Sequence, residues 1–169
     1  MTGLRKWGWL AGKFAVLRAV NILILAAILM AAQLSGPVHA QQAMRIENVT
    51  IKTSKGVYSF QTEIADTPPL RERGLMFRRE MAPDRAMLFD WGEPLVASMW
   101  MVNTYISLDM VFISGDGTVR YVAEGTTPLS RDIVSAGIKV RAVLELIAGT
   151  AQRISLKPGD RVSHPIFTP

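Results

Sequence analysis

From residue 44 onward, apolar positions recur in short runs separated by turn residues, the pattern of strands rather than of helices. In Met44–Thr53 the apolar residues Ile46, Val49 and Ile51 stand among β-branched neighbours, which predicts a strand. Ser54-Lys55-Gly56 predicts a turn, and residues 57–65 predict the return strand. On that strand Tyr58, Phe60, Thr62 and Ile64 share one face, which is expected to meet the core. Asp66-Thr67-Pro68-Pro69 opens a short helix, with Asp66 or Thr67 as its cap and proline in its first turn. Gly74 ends the helix, and Leu75, Met76 and Phe77 are expected to turn inward.

Ala86–Trp91 predicts a short apolar strand and Gly92-Glu93-Pro94 a turn. Leu95–Val102 is the most apolar stretch of this part of the chain, and its length suits a buried strand better than a helix. Leu108–Ile113 and Thr118–Ala123 predict a hairpin around Ser114-Gly-Asp-Gly117, where glycine supplies positive φ. Residues 126–132 read as a loop, Lys139–Ile147 as a strand and residues 149–154 as one or two helical turns. A turn at Lys157–Asp160 precedes a terminal strand over Arg161–His164. Many short strands with turns between them predict a mainly β fold, a compact sandwich or barrel-like single domain with one short helix after the second strand.

The first 40 residues follow another rule. They contain no Asp or Glu, and their charges are Arg5, Lys6, Lys13 and Arg18. The apolar run Ala19–Ala32 follows, then Ser35-Gly-Pro-Val-His-Ala40 with small side chains at Val38 and Ala40. This order is that of a secretory signal peptide. The expectation is a signal peptide over residues 1–40, cleavage near Ala40, and one β-rich domain over residues 41–169 that is periplasmic or secreted. The long segment before the apolar run keeps open the alternative of an uncleaved inner-membrane anchor. A spanning helix needs about 20 predominantly apolar residues, more than this run supplies.

The leader also accounts for most of the charge. The chain has 19 basic and 14 acidic residues. Four basic residues and no acidic ones fall in the leader, leaving 15 against 14, a net charge of +1. The basic balance that would suggest nucleic acid or an anionic membrane surface therefore disappears on processing. The expected partners are a small ligand or an envelope component, with no nucleic acid, membrane contact only through the leader, and a monomer or weak dimer. There are no cysteines, so stability rests on packing and hydrogen bonds, and thiol chemistry is excluded. After the leader only His164 remains, which removes the raw material for most zinc sites and for a Ser-His-Asp triad. No metal and no cofactor is expected.

Among the remaining groups, Asp109 and Glu145 are carboxylates inside apolar strands, suited to acid–base work or to structural hydrogen bonding. Met99 and Met101 share a strand face and offer soft sulfur for Cu(I), although methionine more often fills cores. Arg71, Arg73, Arg78 and Arg79, with Asn103-Thr104, offer groups that grip carboxylate or phosphate; their alternative is a solvated helix face and an Asx turn.

Five ordered strings resemble one family. Leu70-Arg-Glu-Arg-Gly-Leu-Met-Phe-Arg78 is similar to its R-x-x-G-L-M-x-R motif, and Ala86-Met-Leu-Phe89 to G-M-L-F. Trp100-Met-Val-Asn-Thr104 with Leu108-Asp109 is similar to F-W-M-x-N-T-x-x-P-L-D. Val143-Leu-Glu-Leu146, Gly149 and Gly159-Asp160 are similar to its closing V-L-E-L-x-x-G and G-D. The chain thus resembles the bacterial and archaeal domain of unknown function 192 family over about residues 48–165, with Met99 in place of the usual Phe and Ser107 in place of Pro. The resemblance implies a compact, mainly β domain and no established reaction. Its polar or amphipathic motif members, Arg73, Arg78, Trp100, Asn103 and Asp109, are the candidate ligand-binding set, lining a groove or else forming a buried network. No catalytic residue is assigned, and whether the protein is an enzyme stays open. The leading expectation is a non-enzymatic exported module that binds a small ligand or envelope component. The alternative is a hydrolase acting on sugar or cell-envelope substrates through Asp109 and a second carboxylate.

Overall fold

The computed structural model describes residues 44–167. The leader expected over residues 1–40 and its cleavage point lie outside the described residues. The first hairpin is β1 (Arg45–Thr53) and β2 (Gly56–Ala65), in register from Arg45 opposite Ile64 to Thr53 opposite Gly56. The helix α1 (Pro68–Arg73) and its following loop then carry the chain to β3 (Arg85–Val96), which runs parallel to β2. A parallel pair needs such a crossover, which a tight turn cannot supply. β4 (Leu108–Ile113), β5 (Val119–Ala123) and β6 (Lys139–Ile147) follow, then the short helix α2 (Thr150–Ile154) and β7 (Arg161–Ser163).

The seven strands form one sheet in the order β5-β4-β6-β3-β2-β1-β7. The sheet curls until its two edges meet. Thr118, just before β5, bridges Arg161 of β7. The Val119 N–H donates to Asp160 O at 2.9 Å, and the Val162 N–H donates to Gly117 O at 2.8 Å. Joining the edges satisfies backbone groups that an open sheet would present to other chains. The mainly β, barrel-like expectation describes this architecture.

The curl creates an inner and an outer core. Val49, Ile51, Phe60, Ile64, Leu88 and Leu144 fill the inside, and α2 adds Ala151 and Ile154. On the outer face, Met87, Phe89, Met110 and Val143 are covered by Leu75 and by the loop 97–107. All six residues of β4 are buried, because the strand is covered on both sides. That explains why its sequence is apolar at every position except Asp109, without alternation.

Three local expectations change. Residues 95–102 were expected to form a buried strand, but β3 ends at Val96 and the rest is a loop lying over the outer face. Ala97, Met99 and Met101 point in while Ser98 and Trp100 point out. The alternation of a strand is present without its ladder: Met99 bridges only Val134. Apolarity here records burial rather than strand pairing. Gly92-Glu93-Pro94 forms a bulge inside β3 rather than a turn between strands, with the register shifting between Asp90 and Leu95. Gly92 takes φ 81°, and its N–H donates to Asp90 Oδ1 at 2.9 Å. Leu75 is buried as expected, but Phe77 remains 55% exposed at φ 68°.

Candidate functional site

The site forms where α1 and the loop 97–107 lie on the outer face of the sheet. The paired prolines start α1, and Gly74 allows its end to settle on the sheet: a Cβ there would lie 3.0 Å from the Phe89 ring. This seats Arg71 and Arg73 beside the surface formed by β3 and β6. The loop carries Met99 and Trp100 toward the same place. Between them lies an open cavity of about 340 Å³, at the small end of the range for ligand sites. Phe89 and Glu145 come from the sheet, Arg71, Glu72 and Arg73 from α1, and Trp100 from the loop.

Glu145 is the chemically unusual group. It is 3% exposed, and its cross-strand neighbours on β3 and β4 are Met87 and Met110. No hydrogen bond or ion pair reaches its side chain from the described residues. Burial among apolar groups penalises the charged form, so the carboxyl is pushed up to about 8. At neutral pH it is mainly a neutral acid, able to donate a hydrogen bond. Buried carboxyls usually have partners, which makes a lone one facing a cavity a strong pointer to a site.

The cationic groups differ in commitment. Arg71 Nη1 donates to the backbone oxygens of Asp66 and Asp90, each at 2.7 Å, which ties α1 to β3 and fixes the guanidinium in the wall. Asp90 is in turn held by Arg141, whose Nε donates to Oδ1 at 2.7 Å. Burial acts to raise the Asp90 carboxyl, but the bonds from Arg141 and the Gly92 N–H outweigh it and hold it below the usual range. Arg73 and Trp100 stand exposed at the rim, Trp100 with half its surface open.

Of the five candidate residues, Arg73 and Trp100 line this cavity and the other three lie elsewhere. Arg78 makes a two-pronged pair with Glu63, Nη1 to Oε1 at 2.6 Å and Nη2 to Oε2 at 2.5 Å, beside a separate hollow. Asn103 sits at φ 57° in a turn, where its carbonyl accepts the Phe77 N–H at 2.7 Å and joins two loops. Asp109 is fully buried, its Oδ1 accepting from Gly125 N–H at 2.9 Å and Oδ2 from Ala151 N–H at 2.8 Å. It anchors the loop after β5 and the first turn of α2. Asp109 is paired with Leu146 and so shares the inner face, whereas Glu145 lies on the outer face. The two carboxylates therefore do not face each other across a cleft. Met99 and Met101 are buried, and Met101 Sδ accepts from Thr126 Oγ1 at 3.2 Å.

Glu145 and Arg71 complete the cavity and were not in the candidate set. Glu145 was visible as an acid between two leucines in an apolar strand, but sequence alone does not separate it from Asp109. Register does, by putting the two on opposite faces.

A small curled β-sheet with one helix and one loop framing a cavity on its outer face is the class of domain that fold and site define. The chain belongs to the domain of unknown function 192 family, described as uncharacterized, whose model matches residues 49–164. No curated protein matches it. Two solved structures are similar. One is a Sinorhizobium meliloti 1021 protein described only provisionally as a transcription regulator, at 44% identity and a TM-score of 0.72, with 75% of this chain and 99% of that one covered. The other is a Novosphingobium aromaticivorans DSM 12444 protein of unknown function, at 35% identity and a TM-score of 0.71, covering 75% of this chain and 91% of that one.

Proposed function

We propose that this is an exported domain that binds a small ligand in the cavity between α1, the loop 97–107 and β6. The observation that carries this reading is Glu145, an almost fully buried acid with no partner among the described residues, facing an open cavity rimmed by Arg73 and Trp100. Its oxygens meet the open cavity rather than a protein donor, so a ligand that pairs with the carboxyl takes up a contact that only solvent can make in the empty site. Placement in the periplasm or outside the cell rests on the signal-peptide pattern of residues 1–40. Contact with nucleic acid, which the regulator description of the Sinorhizobium relative would bring, does not suit this domain. With 15 basic and 14 acidic residues after the leader, the domain has little excess charge with which to neutralise phosphates.

A second reading has one observation in its favour. A carboxyl pushed up to about 8 is a proton donor at neutral pH, and Glu72 lines the same cavity, so a carboxylate-dependent hydrolase would use these two rather than Asp109. A thermal-shift screen of envelope metabolites tests the binding reading. Stabilisation by a compound recovered unchanged supports binding, and its cleavage supports the hydrolase. If no compound raises the melting temperature of the native protein more than that of a Trp100→Ala, Arg73→Ala variant, the cavity reading fails.

A further inference from the structure

We infer that the cavity takes an amino-acid-like zwitterion, its positively charged nitrogen paired with Glu145 at the floor and its carboxylate met by Arg73 at the rim. This rests on the cavity being a ligand site and adds the ligand's chemical class. The floor and the rim make different demands. At the floor, Glu145 stands among Met87, Met110 and Phe89, none of which can pair with it. A cation there turns a lone acid into a charge pair, the arrangement in which a buried carboxylate is tolerated.

At the rim, the Arg73 side chain makes no hydrogen bond or ion pair with the described residues, and its planar fork matches a carboxylate. Arg71 has Nη1 committed to two backbone oxygens, so it shapes the wall and adds positive potential. Trp100 stands beside the opening with an aromatic face for an aliphatic body or a cationic head. A cavity of about 340 Å³ accommodates a molecule of this size.

Binding has a proton balance. In the empty site Glu145 is mainly a neutral acid, and pairing with an ammonium leaves it a carboxylate, its proton passing to solvent. The other charged or titratable groups lining the cavity are Arg71, Glu72 and Arg73, all from α1; β3, β6 and the loop add none besides Glu145. Up to one proton is therefore released per ligand at pH 7.

The domain used for the test is residues 43–169, a compact unit by itself, and the Sinorhizobium structure shows the same fold over 99% of a chain. Glycine, L-leucine, L-lysine, n-butylammonium and butyrate are titrated by calorimetry in two buffers of different ionisation heat. The only tryptophans after the leader, Trp91 and Trp100, both line the cavity and report binding by fluorescence. Expected are binding of at least one amino acid with proton release, affinity at least tenfold weaker and no release in Glu145→Gln, and a drop to the n-butylammonium level in Arg73→Ala. Tighter binding of butyrate than of every amine, affinity unchanged in Glu145→Gln, or no binding by any amine overturns the zwitterion assignment. The cavity reading itself is judged separately by the metabolite screen, in which anionic and neutral compounds also register.

Discussion

Glu145 and Asp109 lie on adjacent strands, are both buried, and are treated in opposite ways by the fold. Asp109 receives two backbone N–H groups; Glu145 receives none from the described residues. Asp109→Asn replaces one accepting oxygen with an amide that must face an N–H. We expect a loss of about 1–3 kcal/mol in urea unfolding, because a buried donor loses its acceptor. Glu145→Gln should behave differently with pH. The folded-state value of about 8 lies above the ordinary value of 4.5, so the native protein holds a proton that the unfolded chain releases between them. The stabilising proton is fully retained below about pH 4.5, and the benefit is lost as pH rises toward 8. Across that window the wild type should lose stability relative to Glu145→Gln by up to about 1.4 kcal/mol per pH unit. Parallel pH profiles for the two proteins would contradict the assignment. In the sequence both acids were legible as buried carboxylates, but their roles were not. Roles depend on which N–H groups arrive from residues 125 and 151, far along the chain.

At the scale of elements, turn chemistry and strand period were readable where contacts are local. The hairpins, α1 ending at Gly74 and the helical turns of α2 all follow from such signals. The segment 95–102 was not readable as a loop, because apolar residues signal burial and do not say whether a neighbouring backbone is available for pairing. Joining of the two sheet edges was equally invisible: it brings Thr118 to Arg161, and only the curl of the entire sheet does so. Gly117 stands at that seam with φ 84°, and a Cβ there would lie 2.4 Å from Val162 O. Gly117→Ala should therefore cost about 2–4 kcal/mol through backbone strain and a clash that only parting of the seam relieves. Thermal unfolding measures it, and hydrogen exchange should locate faster opening at β5 and β7. A change below about 0.5 kcal/mol, the ordinary effect of surface substitutions, would mean that the edges are not held together there.

At the scale of the molecule, the sheet has two covered faces and divides the work between them. The inner core with α2 supplies packing, while the outer face, under α1 and the loop, leaves the cavity open. The candidate residues drawn from the motifs were divided by this arrangement. Arg73 and Trp100 go to the cavity, whereas Arg78, Asn103 and Asp109 hold loops and helices in place. The motif strings hold both kinds of residue, Arg73 at an unspecified position and the other four at specified ones, so sequence could not separate them. Export is a separate claim about the whole chain. Mass spectrometry of protein from a cell-envelope fraction should find an amino terminus at Gln41, whereas an intact terminus at Met1 on cytosolic protein would reject it.

Ligand capture in this cavity turns on the state of one carboxyl in the empty site. In the ligand-free domain, the Glu145 carboxyl carbon, labelled with ¹³C and assigned by its disappearance in Glu145→Gln, should be followed by NMR from pH 4 to pH 10. A titration midpoint near 8 is predicted. A midpoint near the ordinary 4.5 would show a solvated or partnered carboxylate and contradict the account.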